Sequence, residues 1–183
     1  LACVATIGGK KWKLITNELS SMEATFFSRR GKIFGWFQRY SDAIVCNSHN
    51  AKTMWEKYYP NYKDKLSVIY NPVILPEITS QYVPKKNGKL HIVIAASYQY
   101  LKNPIGLINA LALMSEQDRA TIEVNWYGRA EVISGDTRAY DEALGLIKEH
   151  NLQNVIHLND AVKDIANKMN EADVVALFSE LEG

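Results

Sequence analysis

The groups able to do chemistry gather in four loops. Ser97, Lys102 and the pair Asn103-Pro104 follow one apolar run, Gly128-Arg129 a second, Asn159-Asp160 a third, and Ser179-Glu180-Leu181-Glu182-Gly183 a fourth. An ammonium at Lys102, just before a helix start, lies beside free N–H groups and a positive dipole end, which suits an anion such as a diphosphate. Glu182, behind a buried strand, offers a fixed acceptor for sugar hydroxyls. Each group also has an ordinary reading. Lys102 is then a solvated loop lysine, Glu182 a surface carboxylate and Ser179 a local cap; Gly128 is a strand-ending turn or a point where a ligand nears the backbone. What favours a site is the edge they share.

That edge follows from the elements between the loops. His91 to Ala96 is a short apolar run fit for a buried strand. Asn103 then suits an N-cap and Pro104 the first helical turn, where its missing N–H costs nothing. Ile105, Ile108, Leu111, Ala112 and Met114 recur at helical spacing. Ile122 to Tyr127 predicts a strand, Thr137 to His150 a helix with Asn151 as a left-handed cap, and Asn154 to Leu158 a third strand. Val162 to Glu171 predicts a helix and Asp173 to Phe178 a fourth strand. Strand and helix alternate, so the fold class is α/β with a parallel sheet and helices on both faces. Ligands of such sheets bind outside the carboxyl ends of the strands, where all four loops fall.

The first segment is less regular. Trp12 to Thr16, Ala43 to Cys46 and Lys65 to Tyr70 predict strands and Ala51 to Tyr59 a helix, the tail of another α/β domain. Pro72, Pro76 and Pro84 crowd the stretch between the two segments, and proline removes backbone donors and fixes φ. The division expected is thus a first domain over 1–76, a linker over 77–89 and a second domain over 90–183. The chain opens on Leu1 and stops at Gly183 just after an apolar run. It reads as a fragment incomplete at both ends and inactive by itself.

Composition excludes several classes. The 183 residues hold 21 Lys and Arg against 20 Asp and Glu, a net charge of +1, too balanced for a broad electrostatic grip on nucleic acid. Cys3 and Cys46 cannot build a disulfide framework, and a reducing cytoplasm is expected. His49, His91, His150 and His157 have no metal-ligand spacing, so no metal or other cofactor is expected. Also missing are Gly-x-x-x-x-Gly-Lys-Ser/Thr, Gly-x-Gly-x-x-Gly, Gly-x-Ser-x-Gly and His-Glu-x-x-His. One further stretch, Ser28 to Tyr40, interleaves four cations with four aromatics. It is read first as a helix packing its aromatics on the sheet, and second as a peripheral contact with an anionic membrane, on the inner face of a cell membrane.

Five segments, in order, resemble the landmarks of glycosyltransferase family 4. They are Ser41-Asp-Ala-Ile-Val-Cys-Asn-Ser48, Val68-Ile-Tyr-Asn-Pro-Val73, Tyr98 through Lys102-Asn103, Val124-Asn-Trp-Tyr-Gly128 and Ala172-Asp-Val-Val-Ala-Leu-Phe-Ser-Glu-Leu-Glu-Gly183. The resemblance implies a GT-B fold, two Rossmann-like domains both incomplete here, and a retaining enzyme that moves a sugar from a nucleoside-diphosphate sugar to a glycan or lipid-linked acceptor. It implies that Lys102 contacts the donor diphosphate and that Glu182, the first glutamate of a Glu-x7-Glu motif, lies by the transferred sugar. Ser97 stands where relatives carry a diphosphate-binding arginine, and Phe178 replaces a usual proline. Gly128, Arg129, Asn159, Ser179 and Gly183 are the further nucleotide and sugar contacts expected, and His49 a residue on the acceptor side. A rival from another class is a non-catalytic module binding a nucleotide sugar or a membrane surface, for which Ser97 in place of arginine speaks.

Overall fold

Parallel strands in two separate sheets carry the regular structure. The structure, a computed structural model, describes residues 9, 11–18, 26–72, 77, 81–83, 88–131 and 135–179. The chain divides into two compact units, Leu1–Ile74 and Leu75–Glu182.

In the first unit the described residues form β1 (Ile15–Glu18), α1 (Arg29–Phe37), β2 (Ala43–Cys46), α2 (His49–Tyr58) and β3 (Leu66–Val68), with the strands parallel in the order β1-β2-β3. Ile44 and Cys46, on one face of β2, are buried against Ala51 and Trp55 of α2, Leu66 and Phe26. The first strand begins later than the expected Trp12. The Asp42 carboxylate accepts the Leu14 N–H at 2.7 Å, while the Asp42 N–H donates to the Leu14 carbonyl at 2.8 Å. Only beyond that clamp does the ladder start, pairing Ile15 with Ala43. The helix starts at His49 instead of Ala51 because Ser48 caps it, its Oγ accepting from the Ala51 N–H at 3.1 Å.

The packing expected of α1 is also corrected. Gly35 is the one buried residue of that helix, and a Cβ placed on it would run into the Tyr59 ring. Ile33, Phe34 and Trp36 face outward and are exposed.

The second unit contains β4 (Leu90–Ala95), α3 (Pro104–Leu113), α4 (Glu116–Ala120), β5 (Ile122–Gly128), α5 (Arg138–Glu149), β6 (Ile156–Asp160), α6 (Ile165–Asn170) and β7 (Val174–Val175). Its strands are parallel in the order β6-β5-β4-β7. Ile94, Val124, Trp126 and Ile156 form one apolar face, covered by Leu107, Ile108 and Leu111 of α3 and Ala143 and Ile147 of α5. Right-handed crossovers explain the layout. Two steps in one direction, β4 to β5 to β6, keep α3 and α5 on a common face. The return to β7 on the far side of β4 carries α6 to the other. Asn151 takes the left-handed conformation expected of it, φ 55°. A turn in which the Val155 N–H meets the Leu152 carbonyl at 2.9 Å then delays β6 to Ile156. The fourth strand is shorter than expected, since only Val174 and Val175 pair with β4, opposite Ile92 and Val93.

Candidate functional site

The strand order locates the site before any side chain is considered. In sequence the four strands of the second sheet run first, second, third and fourth, but in space third, second, first, fourth. The chain leaves β4 toward β5 on one side and returns to β7 on the other, so the strand order reverses between β4 and β7, the position at which ligands of such sheets bind. Ser97 follows β4 and Ser179 follows β7. The pairing offset that sets Ile92 against Val174, carried forward, brings Ser179 level with Ser97.

The β4 side of that position is built around a helix start. Asn103 adopts φ 59° and accepts the Gly106 N–H on its side-chain oxygen at 3.0 Å, with Pro104 in the first turn. A short 3-10 turn, Tyr100–Lys102, leads into it and puts the part-exposed Lys102 directly before the α3 dipole. On the β7 side the Ser179 hydroxyl is buried and, among the described residues, meets no hydrogen-bond partner. A buried orphan oxygen carries a desolvation cost that a bound polar group would relieve. Glu182 and Gly183 lie outside the described residues.

The loop between β4 and α3 is held by a residue to which sequence reasoning gave no role. Tyr98 is buried, and its hydroxyl donates toward two carbonyls, Trp126 at 2.8 Å and Asn159 at 2.7 Å. Its backbone N–H donates to the Arg129 carbonyl at 3.0 Å. One residue thus ties the loop to the ends of both β5 and β6. Burial pushes the phenol pKa well above its usual range, so the group remains a donor at physiological pH. The Trp126 indole N–H adds a bond to the Ala96 carbonyl at 2.7 Å. That same carbonyl occupies the space a Cβ on Gly128 would need, so a glycine there lets the loop lie across the end of β5. A tyrosine directly after an apolar strand was the available signal, but its partners lie 28 and 61 positions away.

The remaining expected residues occupy the neighbouring strand ends. Arg129 is exposed after β5. Asn159, the last residue but one of β6, directs its side-chain amide at the His157 carbonyl, 3.2 Å away. His49 stands in the first unit, exposed in the opening turn of α2, with its ring edge-on to Tyr70 at 5.9 Å. No group of three or more metal-binding side chains occurs among the described residues, and none of their helices is long and apolar enough to cross a membrane.

The two parallel sheets, the second with its strand order reversed between β4 and β7, have the GT-B fold. Among solved structures the chain is similar to Anabaena HepE in complex with UDP and glucose, at 17% identity and TM-score 0.76, over 97% of this chain and 49% of that one. It is similar also to WaaG, a glycosyltransferase involved in lipopolysaccharide biosynthesis, at 15% identity and TM-score 0.65, over 94% and 52%. A third is an α,α-trehalose-phosphate synthase (UDP-forming) from Burkholderia vietnamiensis, at 10% identity and TM-score 0.72, over 97% and 50%. The chain therefore spans about half the length of these structures, and at such identities the likeness is one of fold. No protein-family model and no curated protein matches the sequence.

Proposed function

We propose that this chain is part of a retaining glycosyltransferase that moves a sugar, a hexose in the simplest case, from a nucleoside-diphosphate sugar to a glycan or lipid-linked acceptor. The observation that carries the reading is the reversal of strand order between β4 and β7, with a capped α3 start and Lys102 after one strand and the orphan Ser179 hydroxyl after the other. As the glycosidic bond breaks, the electron pair leaves with the diphosphate, whose charge grows. Lys102 and the α3 amides oppose that charge without rearrangement. Ser97, Gly128, Arg129, Asn159, Ser179 and Gly183 line the nucleotide and sugar, with Glu182 beside the transferred ring and His49 toward the acceptor. Retention requires the acceptor hydroxyl to approach from the face the phosphate leaves. No step in this scheme needs a metal or another cofactor. A lipid-linked acceptor would bring the enzyme to the cytoplasmic face of a membrane, and residues 28–40 are the stretch suited to that contact. Transfer of this kind serves polysaccharide synthesis.

The test is a thermal-shift screen of the full-length protein against UDP-, GDP- and ADP-sugars. One donor present at about a hundred times its Kd adds roughly 2.7 kcal/mol of stability, and the midpoint rises. No shift with any of the three would end the reading. Ser97 in place of an arginine favours a second possibility, a module that binds the donor without transferring its sugar. Release of free nucleoside diphosphate only when acceptor is present separates the enzyme from the module.

A further inference from the structure

A groove of about 480 Å3 lies in the second unit beside the opening turns of α3 and α5, a volume in the range of small-molecule sites. Three of the residues lining it, Tyr100, Asn109 and Glu142, have no part in the transferase scheme above. Tyr100 is 49% exposed, yet its ring is held in place. Its hydroxyl donates to Oε2 of Glu142 at 2.8 Å. An aromatic ring kept open to solvent by its own hydrogen bond is an apolar platform already ordered before anything binds. The opposite side is the α3 start. A Cβ on Gly106 would collide with the Asn103 side chain, so the glycine lets that side chain fold back over the helix. The Asn103 oxygen is engaged by the Gly106 N–H, which leaves its amide nitrogen as the donor on that side.

The chemistry of the lining selects the ligand. Of the described residues that line the groove only Glu142 is charged, so a phosphate or a nucleotide meets no cation there. The second carboxylate oxygen of Glu142 and the side-chain amide of Asn109 have no protein partner among the described residues. The groove thus offers one apolar ring face, one charged acceptor and two amides. A matching ligand is uncharged, carries hydroxyls that both donate and accept, and turns a flat C–H face to the tyrosine. A pyranose ring meets all three conditions. A quaternary ammonium would suit the ring and the carboxylate, but it has nothing to offer the two amides. We propose that this groove binds a neutral glycan, with one hexopyranose unit stacked on Tyr100 and hydrogen-bonded to Glu142, Asn103 and Asn109. That this glycan is the acceptor or product of sugar transfer rests on the function proposed above, and it then selects a glycan over a lipid as the acceptor class. The sugar site itself does not depend on that reading.

The experiment is affinity electrophoresis of the full-length protein through native gels containing dextran, soluble starch, galactomannan or a mixed-linkage β-glucan, with the acidic polymer alginate and the cation choline as controls. At least one neutral polymer should retard the protein. Tyr100→Ala and Glu142→Ala should each weaken that binding roughly tenfold, whereas Tyr100→Phe, which keeps the platform, should retain most of it. Both altered side chains are exposed, so circular dichroism should show the variants folded. A nucleotide sugar that stabilises the wild type should stabilise Glu142→Ala equally. A wild type that binds a neutral polymer but responds to no donor would uphold the groove and end only the transferase reading. The proposal is overturned if no neutral polymer retards the protein, if alginate alone does, or if retardation survives the combined Tyr100→Ala and Glu142→Ala change. Displacement of the polymer by choline, or by UDP alone, would equally overturn it, the first by making the groove a cation site and the second by placing the sugar in the donor site.

Discussion

Tyr98 has one phenolic proton and two carbonyls to share it with. Tyr98→Phe keeps the ring stacked near Trp126 and Tyr140 but leaves both oxygens without that donor. Its expected cost is about 1–3 kcal/mol, read as a lower urea midpoint at unchanged slope. Lys102 gives the converse case, with little effect on stability and much on the ligand. Lys102→Ala should lose a charge-assisted contact worth ~1.5–3 kcal/mol, roughly 10- to 150-fold in donor affinity by calorimetry. Lys102→Arg should recover only part, because a planar fork does not replace a compact ammonium. Donor affinity unchanged in Lys102→Ala would make this lysine an ordinary solvated side chain. Cys46 offers a pH test in the first unit. Burial, and next the Glu18 charge, push its thiol pKa from 9.0 to about 11. Between those values the unfolded chain has released the proton and the folded chain still holds it. Stability is therefore full below pH 9.0 and declines as the pH rises toward about 11. Urea titrations of wild type and Cys46→Ala should diverge in that window, with the flatter curve in the variant.

At the scale of elements, the α3 start is where local sequence decided local structure. Asn103 and Pro104 announce it, and the structure places both as cap and first turn. Asn103→Ala should cost about 0.5–2 kcal/mol, plus the strain of φ 59° on a residue with a Cβ. Asn103→Gly should be milder, since glycine accepts the angle and only the cap oxygen is lost. Thermal denaturation of both variants checks the order. Elsewhere strand existence was legible and strand ends were not, because the ends are set by partners far along the chain. Asp42 decides where β1 begins, and the Leu152–Val155 turn decides where β6 does. The outward aromatics of α1 were misread for a related reason. Helical spacing shows that residues share a face, but not which face is turned inward, and in α1 that side is marked by Gly35, packed against the Tyr59 ring.

At the scale of the whole molecule, alternation of strand and helix was enough to read two parallel sheets. The β6-β5-β4-β7 order was not readable, since it depends on pairings between strands that no local pattern records. The site at the reversal was legible only as a set of strand-end residues, and Tyr98, which holds the loop after β4, carried no visible role. Charge was readable in sum and not in distribution. The net +1 looks featureless. Setting aside Arg29, Arg30, Lys32 and Arg39 leaves the 20 Asp and Glu in the majority over the remaining Lys and Arg. The rest of this sequence is thus net negative, a contrast that the sum conceals.

The bond from Tyr98 to Asn159 spans 61 positions, and that separation bears on when the candidate site forms as the chain folds. A contact across so long a loop brings its reward only after β5 and β6 have docked, so it belongs to the late side of the folding barrier. Tyr98→Phe should accordingly leave the refolding limb of a chevron plot nearly where it was and raise the unfolding limb by almost the whole loss in stability. The time the native site survives before opening would then be governed by this one hydroxyl, while the time needed to build it would not. A refolding rate slowed in proportion to the lost stability would put the Tyr98 contact inside the folding nucleus instead.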